Sequence, residues 1–451
     1  MKIIIVGGGK TGATLAASLN EEGHDVTIID YNAERISTIC NNNDVMGLLG
    51  NGMNYSALSE AGIEDADLLI AVTGSDEQNL LCSLFAKKND HCSTIARIRN
   101  PMYLKETEFI KEQVGLSMVI NPEFAGAMEI SQLLRFPSAI EVSTFARGRA
   151  EMLTFKIPEG SILDGKNLTY VRTKLESDVL FCCIERDGQF TIPSGMFELK
   201  AGDKATIMIE TKQAHRFFQT IKYDTHSIKS AIIVGGGTIA FYLAQILLES
   251  RIAVKIIERD EARCNELAEL LPNAMIIHGD ATDKNLLMEE GIATTDAFVA
   301  LTGFDEENVL LSLYAKEMAD IKVITKVDRP IFTELAENLT LDSIIQLHDI
   351  TTEHILQLVR AKQNAMGNNI ETLYRLFDGK VEAVEFNISQ NAQGIGVPLR
   401  KMNLKKNLII CGINRGKRFI LPDGDTTIQP GDRVIVVAGQ TKLNDFKDIL
   451  E

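Results

Sequence analysis

The amino-acid sequence contains the same glycine-rich segment twice, and this duplication constrains the fold more than any other feature. Residues 2–12 read KIIIVGGGKTG, and residues 231–241 read AIIVGGGTIAF. Each segment is a short β-branched run that ends in three glycines and leads into a helical pattern. An acid stands 23 residues after the first glycine of each segment, Asp30 in the first and Glu258 in the second. A strand, a glycine loop, a helix and a later acid together form the fingerprint of a nucleotide-binding unit.

The similarity between the two halves continues far beyond the glycines. After a one-residue insertion, equivalent positions lie 229 residues apart over long stretches. The matching pairs of segments are 71–87 with 300–316, 96–101 with 325–330, and 199–209 with 428–438. A repeat of this size indicates a duplicated pair of domains, because solenoid repeats are about 20–50 residues long.

The first copy alternates strands with helices, which predicts an α/β fold built on a doubly wound parallel sheet of Rossmann type. Predicted strands lie at 2–6, 25–30, 44–49, 67–72, 93–98 and 118–120. Predicted helices lie at 11–22, 33–41, 53–61, 76–88 and 102–113. After residue 137 short strands separated by Gly, Pro and Asp turns predict a small α/β cap, and 382–438 repeat that pattern. We therefore expect two nucleotide-binding domains, at 1–137 and 228–365, each followed by a cap domain, at 138–225 and 366–451.

Two helical patterns carry an apolar stripe. Helix 76–88 is predicted to begin after Ser75 and to carry the apolar side chains of Leu80, Leu81, Leu84 and Phe85 on one face. In the bridge 350–377, the residues at helical spacing are Ile355, Leu358 and Val359. That stripe either packs on its own sheet or belongs to a crossover helix that packs on a neighbouring copy.

The first loop has the residues that a phosphate site requires. Gly7 permits the tight turn after the strand, Gly9 lets the backbone approach a phosphate, and Gly12 lets helix and strand pack closely. Asp30 is expected to accept hydrogen bonds from ribose hydroxyls and to repel a 2′-phosphate, which favours NAD over NADP. Lys10 is expected to meet a phosphate tail.

Three further residues are expected at the carboxyl edge of the first sheet. Thr73 and Gly74 follow the fourth strand, and Arg97 ends the fifth. Open α/β sheets bind their ligands at this edge, so Arg97 is expected to face the same cleft. A surface salt bridge is its alternative role.

The second loop departs from the first. Gly235 and Gly237 are retained, Ala240 takes the third glycine position, Thr238 replaces Lys10, and Lys326 replaces Arg97. Lys326 lacks the bidentate geometry of a guanidinium. A nucleotide is therefore expected here too, bound differently or more weakly, with Glu258 on its ribose.

The composition excludes several classes of protein. A formal net charge of −16 argues against a nucleic-acid partner. Apolar runs are much shorter than the about 20 residues that span a bilayer, and the first strand begins at residue 2, so no secretory leader is expected. Seven scattered cysteines without a CxxC pattern are typical of reduced intracellular thiols, and dispersed histidines predict no metal site.

The motifs GGGKTGATLA, IID, AVTGSDEQN and ARIRNP, followed by a cap with PxG and PGD turns, resemble the regulator-of-conductance-of-potassium family. The resemblance covers nearly the whole chain and implies two tandem units, each with a nucleotide-binding lobe and a cap. It implies that NAD(H) and ATP or ADP are the ligands. By matched motif it assigns the first site to Gly7, Gly8, Gly9, Lys10, Thr11, Gly12, Asp30, Thr73, Gly74 and Arg97, and the second to Gly235, Gly236, Gly237, Thr238, Ile239 and Glu258.

The same resemblance implies a regulatory subunit without catalysis. It implies a homotetrameric gating ring in the cytoplasm, attached to the inner face of the cell membrane through a membrane-embedded potassium channel or transporter subunit. Two other functions stay open from the residues alone. One is an NAD-dependent oxidoreductase, and the other is a nucleotide sensor that acts on a different partner.

Overall fold

The computed structural model describes all of the chain except residues 90, 102, 104–105, 147, 175–177, 224–227, 340, 342, 366–369, 378–379, 440–442 and 444. The first lobe is a parallel sheet of six strands in the order β3-β2-β1-β4-β5-β6. Its strands are Lys2–Val6 (β1), Asp25–Asp30 (β2), Met46–Leu49 (β3), Leu68–Ala71 (β4), Ser93–Arg97 (β5) and Met118–Ile120 (β6). Its helices are Lys10–Glu21 (α1), Ala33–Asn42 (α2), Tyr55–Glu60 (α3), Asp76–Ala86 (α4) and Thr107–Val114 (α5).

These bounds confirm the doubly wound lobe that the sequence predicts. The strand order places β1 at the centre, where β-branched side chains are buried on both faces of the sheet. The fifth predicted helix, at 102–113, is seen as α5, and part of its predicted first turn lies outside the described residues.

The apolar stripe predicted for the helix at 76–88 is not the most buried face of that helix. The buried residues of α4 are Asp76, Asn79, Cys82, Ser83 and Ala86, whereas Leu80 and Phe85 are partly buried and Leu84 is 49% exposed. The physical reason is that α4 begins at the carboxyl edge of the sheet, where its buried polar groups accept hydrogen bonds from the loops after β4 and β5.

The first cap follows a long helix, Pro122–Arg135 (α6), and is an antiparallel sheet in the order β10-β9-β11-β8-β7. Its strands are Glu141–Phe145 (β7), Ala150–Lys156 (β8), Val179–Arg186 (β9), Gln189–Thr191 (β10) and Lys204–Glu210 (β11). Its helices are Leu168–Lys174 (α7) and Thr211–Thr220 (α8), and α8 buries Phe217 and Phe218 against the sheet.

The second half repeats this arrangement. Its lobe has the strand order β14-β13-β12-β15-β16-β17. The strands are Ser230–Val234 (β12), Ala253–Glu258 (β13), Met275–His278 (β14), Ala297–Ala300 (β15), Lys322–Lys326 (β16) and Ile344–Ile345 (β17). The helices are Thr238–Glu249 (α9), Glu261–Leu270 (α10), Lys284–Glu289 (α11), Asp305–Met318 (α12) and Pro330–Asn338 (α13).

A helix at Leu347–Ala365 (α14) leads from the second lobe into the second cap. This cap is an antiparallel sheet in the order β18-β19-β22-β20-β21. Its strands are Ile370–Leu376 (β18), Val381–Asn387 (β19), Leu408–Arg415 (β20), Arg418–Ile420 (β21) and Arg433–Gly439 (β22). The two caps pack on each other through apolar side chains of both sheets.

The helices α6 and α14 are exchanged between the two lobes. Ile355 and Val359 of α14 are fully buried in the core of the first lobe, and Ile130 and Leu133 of α6 are buried in the core of the second. An ion pair between Arg360 and Glu22 also joins α14 to α1. Of the two alternatives for the stripe in 350–377, the crossover helix is therefore the correct one, and the copy that it contacts is the first lobe of the same chain.

Candidate functional site

The loop after β1 has the backbone shape that the glycine pattern predicts. Gly7 has a φ of +110°, and a Cβ placed there would lie 3.0 Å from the backbone of Val72 and Thr73. A Cβ on Gly12 would lie 1.8 Å from the carbonyl oxygen of Gly7, whereas one on Gly9 would meet nothing within 4 Å. Gly7 and Gly12 are thus required by packing. Gly9 faces open space at the N-terminus of α1, where backbone N–H groups can meet an anion.

Asp30 ends β2 directly beside this loop and is 5% exposed. Its Oδ2 accepts a hydrogen bond of 2.6 Å from the backbone N–H of Gly8, and its Oδ1 accepts one of 2.8 Å from the N–H of Asn32. A carboxylate can accept about four hydrogen bonds, so acceptor capacity is left for ribose hydroxyls. The guanidinium of Arg35 lies 3.8 Å from Oδ2.

The floor of the cleft is held by Asn79, a residue that the sequence analysis missed. Asn79 is fully buried. Its Oδ1 accepts hydrogen bonds of 2.8 Å from both the N–H and the hydroxyl of Thr73, and its Nδ2 donates to the carbonyl of Arg97 at 2.9 Å. One amide therefore fixes the ends of β4 and β5 together. The repeated Asn in the matched segments 71–87 and 300–316 was the available signal.

Arg97 lies across this floor. One of its Nη groups donates to the carbonyl of Thr73, and its buried Nε has no hydrogen-bond partner among the described residues. Burial, and then the positive charge of Arg99, lower the pKa of Arg97. Because burial and the nearby positive charge disfavour the charged form of Arg97, an anion that binds beside the guanidinium stabilises it.

These groups line one open cleft of about 500 Å³, which is within the usual range for small-ligand sites. Its charged side chains are three cations, Lys10, Arg35 and Arg97, and one carboxylate, Asp30. Gly7, Gly9, Thr11, Thr73 and Gly74 also line it, whereas the predicted site residues Gly8 and Gly12 do not. Arg35 is a second cleft residue that the sequence analysis missed.

The second loop has the same backbone shape. Gly235 has a φ of +94°, and a Cβ there would lie 2.9 Å from the carbonyl of Leu301. The Oε2 of Glu258 accepts a hydrogen bond of 2.6 Å from the N–H of Gly236, and Oε1 accepts one from Asp260. Ala240 is fully buried. Glu258 therefore holds its loop as Asp30 does.

The second cleft is smaller, about 220 Å³, and opposite in charge. Three carboxylates line it, those of Glu258, Asp280 and Glu307, against one guanidinium, that of Arg259. The backbone N–H and the hydroxyl of Thr282 donate to Asp280 and lower its pKa, so this group is an anion at neutral pH.

Several predicted residues of the second site do not line this cleft. Gly235 and Gly237 line it, but Gly236 and Thr238 do not. The side chain of Ile239 is 7% exposed and packs in the apolar core beside α6. Lys326, the counterpart of Arg97, forms a 2.9 Å ion pair with Asp328 and also does not line the cleft.

The guanidinium of Arg259 lies 5.6 Å from the ring centre of Phe304. Arg259 directly follows β13, and Phe304 directly precedes α12. A cation–π contact of this kind contributes about 0.5–1 kcal/mol at an exposed site. It restrains Arg259, the one guanidinium among the described residues that line the second cleft.

The two lobes meet at their loops as well as through their exchanged helices. The Nζ of Lys10 donates to the backbone carbonyl of Asp328 at 3.5 Å. On the other side, Nδ2 of Asn121 donates to the hydroxyl of Tyr242 at 3.4 Å, and the rings of Phe124 and Tyr242 pack edge to face. Lys10, the first residue of α1 after the glycine loop, therefore contacts the second lobe directly.

No helix in the described part of the chain is both long and apolar enough to cross a lipid bilayer. The described residues also contain no cluster of His, Cys, Asp or Glu that could hold a metal ion.

Two nucleotide-type lobes with exchanged helices, each followed by an antiparallel cap, define a tandem regulatory unit of the conductance-regulator class. The TrkA-N domain matches residues 3–122 and 231–347, and the TrkA-C domain matches residues 152–222 and 383–451. The chain belongs to the TrkA family of Trk system potassium uptake proteins, and this membership confirms the resemblance seen in the sequence.

Full-length relatives support the assignment. The chain is 34% identical over 444 residues to the Trk system potassium uptake protein TrkA homolog 1 of Methanosarcina mazei, with 97% of each chain covered. It is 34% identical over 449 residues to the TrkA homolog of Archaeoglobus fulgidus, with 100% of each covered. Among solved structures, the GsuK channel bound to NAD matches with a TM-score of 0.62 and 16% identity, covering 97% of this chain and 77% of that one. The last match shows a shared fold.

Proposed function

We propose that this protein is the nucleotide-binding regulatory subunit of a Trk-type potassium uptake system and that it acts without catalysis. The observation that carries the proposal is the first cleft, where a glycine loop, a ribose-type acid and three cations face one cavity. Membership of the TrkA family indicates that the system it regulates is a Trk-type potassium uptake system. The relatives are named as potassium uptake proteins, and the GsuK structure contains NAD.

The first cleft is proposed to bind NAD(H), ATP or ADP. Asp30 holds the ribose, the N–H groups at the start of α1 meet a phosphate, and Lys10 and Arg97 meet the more distal phosphates. A triphosphate brings more negative charge to these cations than a diphosphate does. Because Lys10 also touches the carbonyl of Asp328, a phosphate that attracts its ammonium changes a contact between the lobes. Differential affinity of this kind favours one arrangement of the lobes over another.

The second cleft is proposed to bind a nucleotide more weakly. Its glycines and Glu258 are suited to a ribose, but three carboxylates line a smaller cavity. A phosphate tail is repelled there unless a cation accompanies it.

Calorimetric titration of the wild type, Asp30→Ala and Glu258→Ala with NADH, ADP and ATP tests this function. We expect Asp30→Ala to weaken first-cleft binding by roughly 10- to 100-fold, because hydrogen bonds to a charged group contribute about 1.5–3 kcal/mol. Glu258→Ala should lower only the affinity of the weaker binding phase of the titration, which is that of the second cleft. Binding that is unaffected by Asp30→Ala, or steady NADH consumption with carbonyl substrates, would refute the proposal.

The partner is proposed to be a membrane-embedded potassium channel or transporter subunit of Trk type. The protein would sit on it as a homotetrameric ring, peripheral at the inner face of the membrane. Equivalent helices of the two lobes expose large apolar side chains, which suits ring contacts. These are Leu84 and Phe109 in the first lobe, and Leu310 and Ile331 in the second. The native mass by light scattering tests the tetramer, and co-purification with the membrane subunit tests the partner.

The domain division at 1–137, 138–225, 228–365 and 366–451 is also a proposal. The exchanged helices α6 and α14 fall in the lobe segments of that division, although each packs on the opposite lobe. Limited proteolysis tests the boundaries. We expect the two lobes to stay associated after cleavage between a lobe and its cap.

A further inference from the structure

Each cap contains a β-bulge at the same position. In the pairing of β11 with β9, Thr206 lies opposite Cys183 and Ile207 lies opposite Phe181, so Cys182 is the extra residue. In the pairing of β22 with β20, Val436 lies opposite Ile410 and Ile435 lies opposite Gly412, so Cys411 is the extra residue. The two cysteines are separated by the same 229 residues that separate the two halves.

A β-bulge redirects the side chain of its extra residue. Here both bulges direct a thiol into the interface between the caps. Cys182 and Cys411 are fully buried in the apolar cluster that joins the two sheets. Each thiol donates to a backbone carbonyl of its own cap, Cys182 to Leu180 at 3.4 Å and Cys411 to Ile435 at 3.5 Å. The strands β9 and β20 that carry them are in contact across the interface. The duplication has thus placed two equivalent thiols as neighbours in the same buried interface.

We propose that Cys182 and Cys411 form a redox latch, a site where a peroxide converts two facing thiols into one disulfide that joins the caps. The thiolate of one cysteine attacks a peroxide oxygen, the O–O bond breaks, and the sulfur becomes a sulfenic acid. The hydroxide that leaves takes up the proton that the thiol had lost and becomes water. The second thiol attacks that sulfur, a second water leaves, and the S–S bond forms. Two electrons pass from the thiols to the peroxide, and thiol–disulfide exchange with a reductant reverses the step.

Burial determines when this reaction occurs. It raises the pKa of the Cys182 thiol well above its usual value, and contact with Cys411 adds to the effect. Burial also raises the pKa of the neighbouring Cys183 to about 12. Since the thiolate is the reactive form, the buried thiols react slowly with peroxide while the caps are closed. The rate of disulfide formation is then set by how often the caps separate. The disulfide therefore forms after the cap interface has opened, and it then holds the two caps together. A transient disulfide of this type suits a protein in a reducing compartment.

The test uses the full-length protein and does not depend on nucleotide binding. Reduced protein is treated with hydrogen peroxide, alone and in a urea concentration below the unfolding transition, and is then digested without reductant. Mass spectrometry should find one peptide pair that joins Cys182 to Cys411 within a single chain, with a loss of two hydrogens. Cys182→Ala and Cys411→Ala should abolish the pair. The matched control Cys183→Ala, one residue along the same strand, should retain it.

Three results would support the latch: faster formation in urea, an upward shift of the thermal midpoint after oxidation, and its reversal by dithiothreitol. Oxidation confined to the partly exposed Cys40, a link from Cys183 to Cys411 at equal yield, or links only between chains would each overturn it.

Discussion

The two nucleotide-type clefts share one scaffold and differ in charge. In both, a glycine with positive φ turns the chain, an acid at the end of the second strand accepts the N–H of the middle glycine, and a buried Asn joins two strand ends. Yet three cations face the first cavity and three carboxylates face the second. The two halves thus share their backbone geometry, whereas the charged side chains that line the two cavities differ.

The largest expected effect that separates the clefts concerns Arg97 and Lys326. Arg97 lines its cavity, but Lys326 is held in an ion pair by Asp328. We expect Arg97→Ala to lower the affinity of the first cleft for ATP by roughly 10- to 100-fold, since about 1.5–3 kcal/mol of charged hydrogen bonding is lost. Lys326→Ala should leave that affinity unchanged. Calorimetric titration of each variant measures both values.

Arg97→Lys is the control for this prediction, because it keeps the charge and removes the planar guanidinium. An intermediate loss in Arg97→Lys would show that charge and geometry both contribute. If Arg97→Ala and Lys10→Ala both left the ratio of ATP to ADP affinity unchanged, the first cleft would not sense phosphate charge.

The sequence predicts those parts of the molecule that depend on neighbouring residues. Strand and helix positions, the turn at Gly7 and the place of Asp30 follow from local patterns, and the structure has each of them.

Other features depend on contacts between distant residues, and sequence patterns do not specify these. The stripe of Ile355 and Val359 shows that one face of α14 is buried, but it cannot show which sheet buries it. Asn79 is a polar residue in an amphipathic helix and has the pattern of a surface residue until the ends of β4 and β5 are brought to it. The apolar stripe of α4 likewise does not show that Leu84 is 49% exposed while the polar residues Asn79 and Ser83 of the same helix are buried.

The next largest effect concerns the third glycine position, which is Gly12 in the first loop and Ala240 in the second. A Cβ on Gly12 would lie 1.8 Å from the carbonyl oxygen of Gly7, so the loop must move. We expect Gly12→Ala to lower the free energy of unfolding by about 1–3 kcal/mol, as overpacking does, and to weaken first-cleft binding. Urea denaturation and NADH titration measure the two effects.

The reciprocal variant is Ala240→Gly. It should cost about 1 kcal/mol through helix propensity alone, with no change in first-cleft binding. Equal stability of Gly12→Ala and wild type would mean that the first loop relaxes around a methyl group. The two loops would then differ less in packing than in charge.

The smallest expected effect tests whether one loop cation can move the second cleft toward the first. Thr238→Lys places an ammonium at the start of α9, in the position of Lys10. A solvent-exposed charge pair contributes about 0.2–1 kcal/mol, so second-cleft affinity for ADP should rise by roughly two- to fivefold. The titration is done in an Asp30→Ala background, where the second cleft dominates the signal, and repeated at high salt, which should remove the gain. If Thr238→Lys left the ADP affinity of the second cleft unchanged at low salt, the carboxylates of Glu258, Asp280 and Glu307 would dominate the electrostatic field in this cavity. The loop cation would then have a secondary effect.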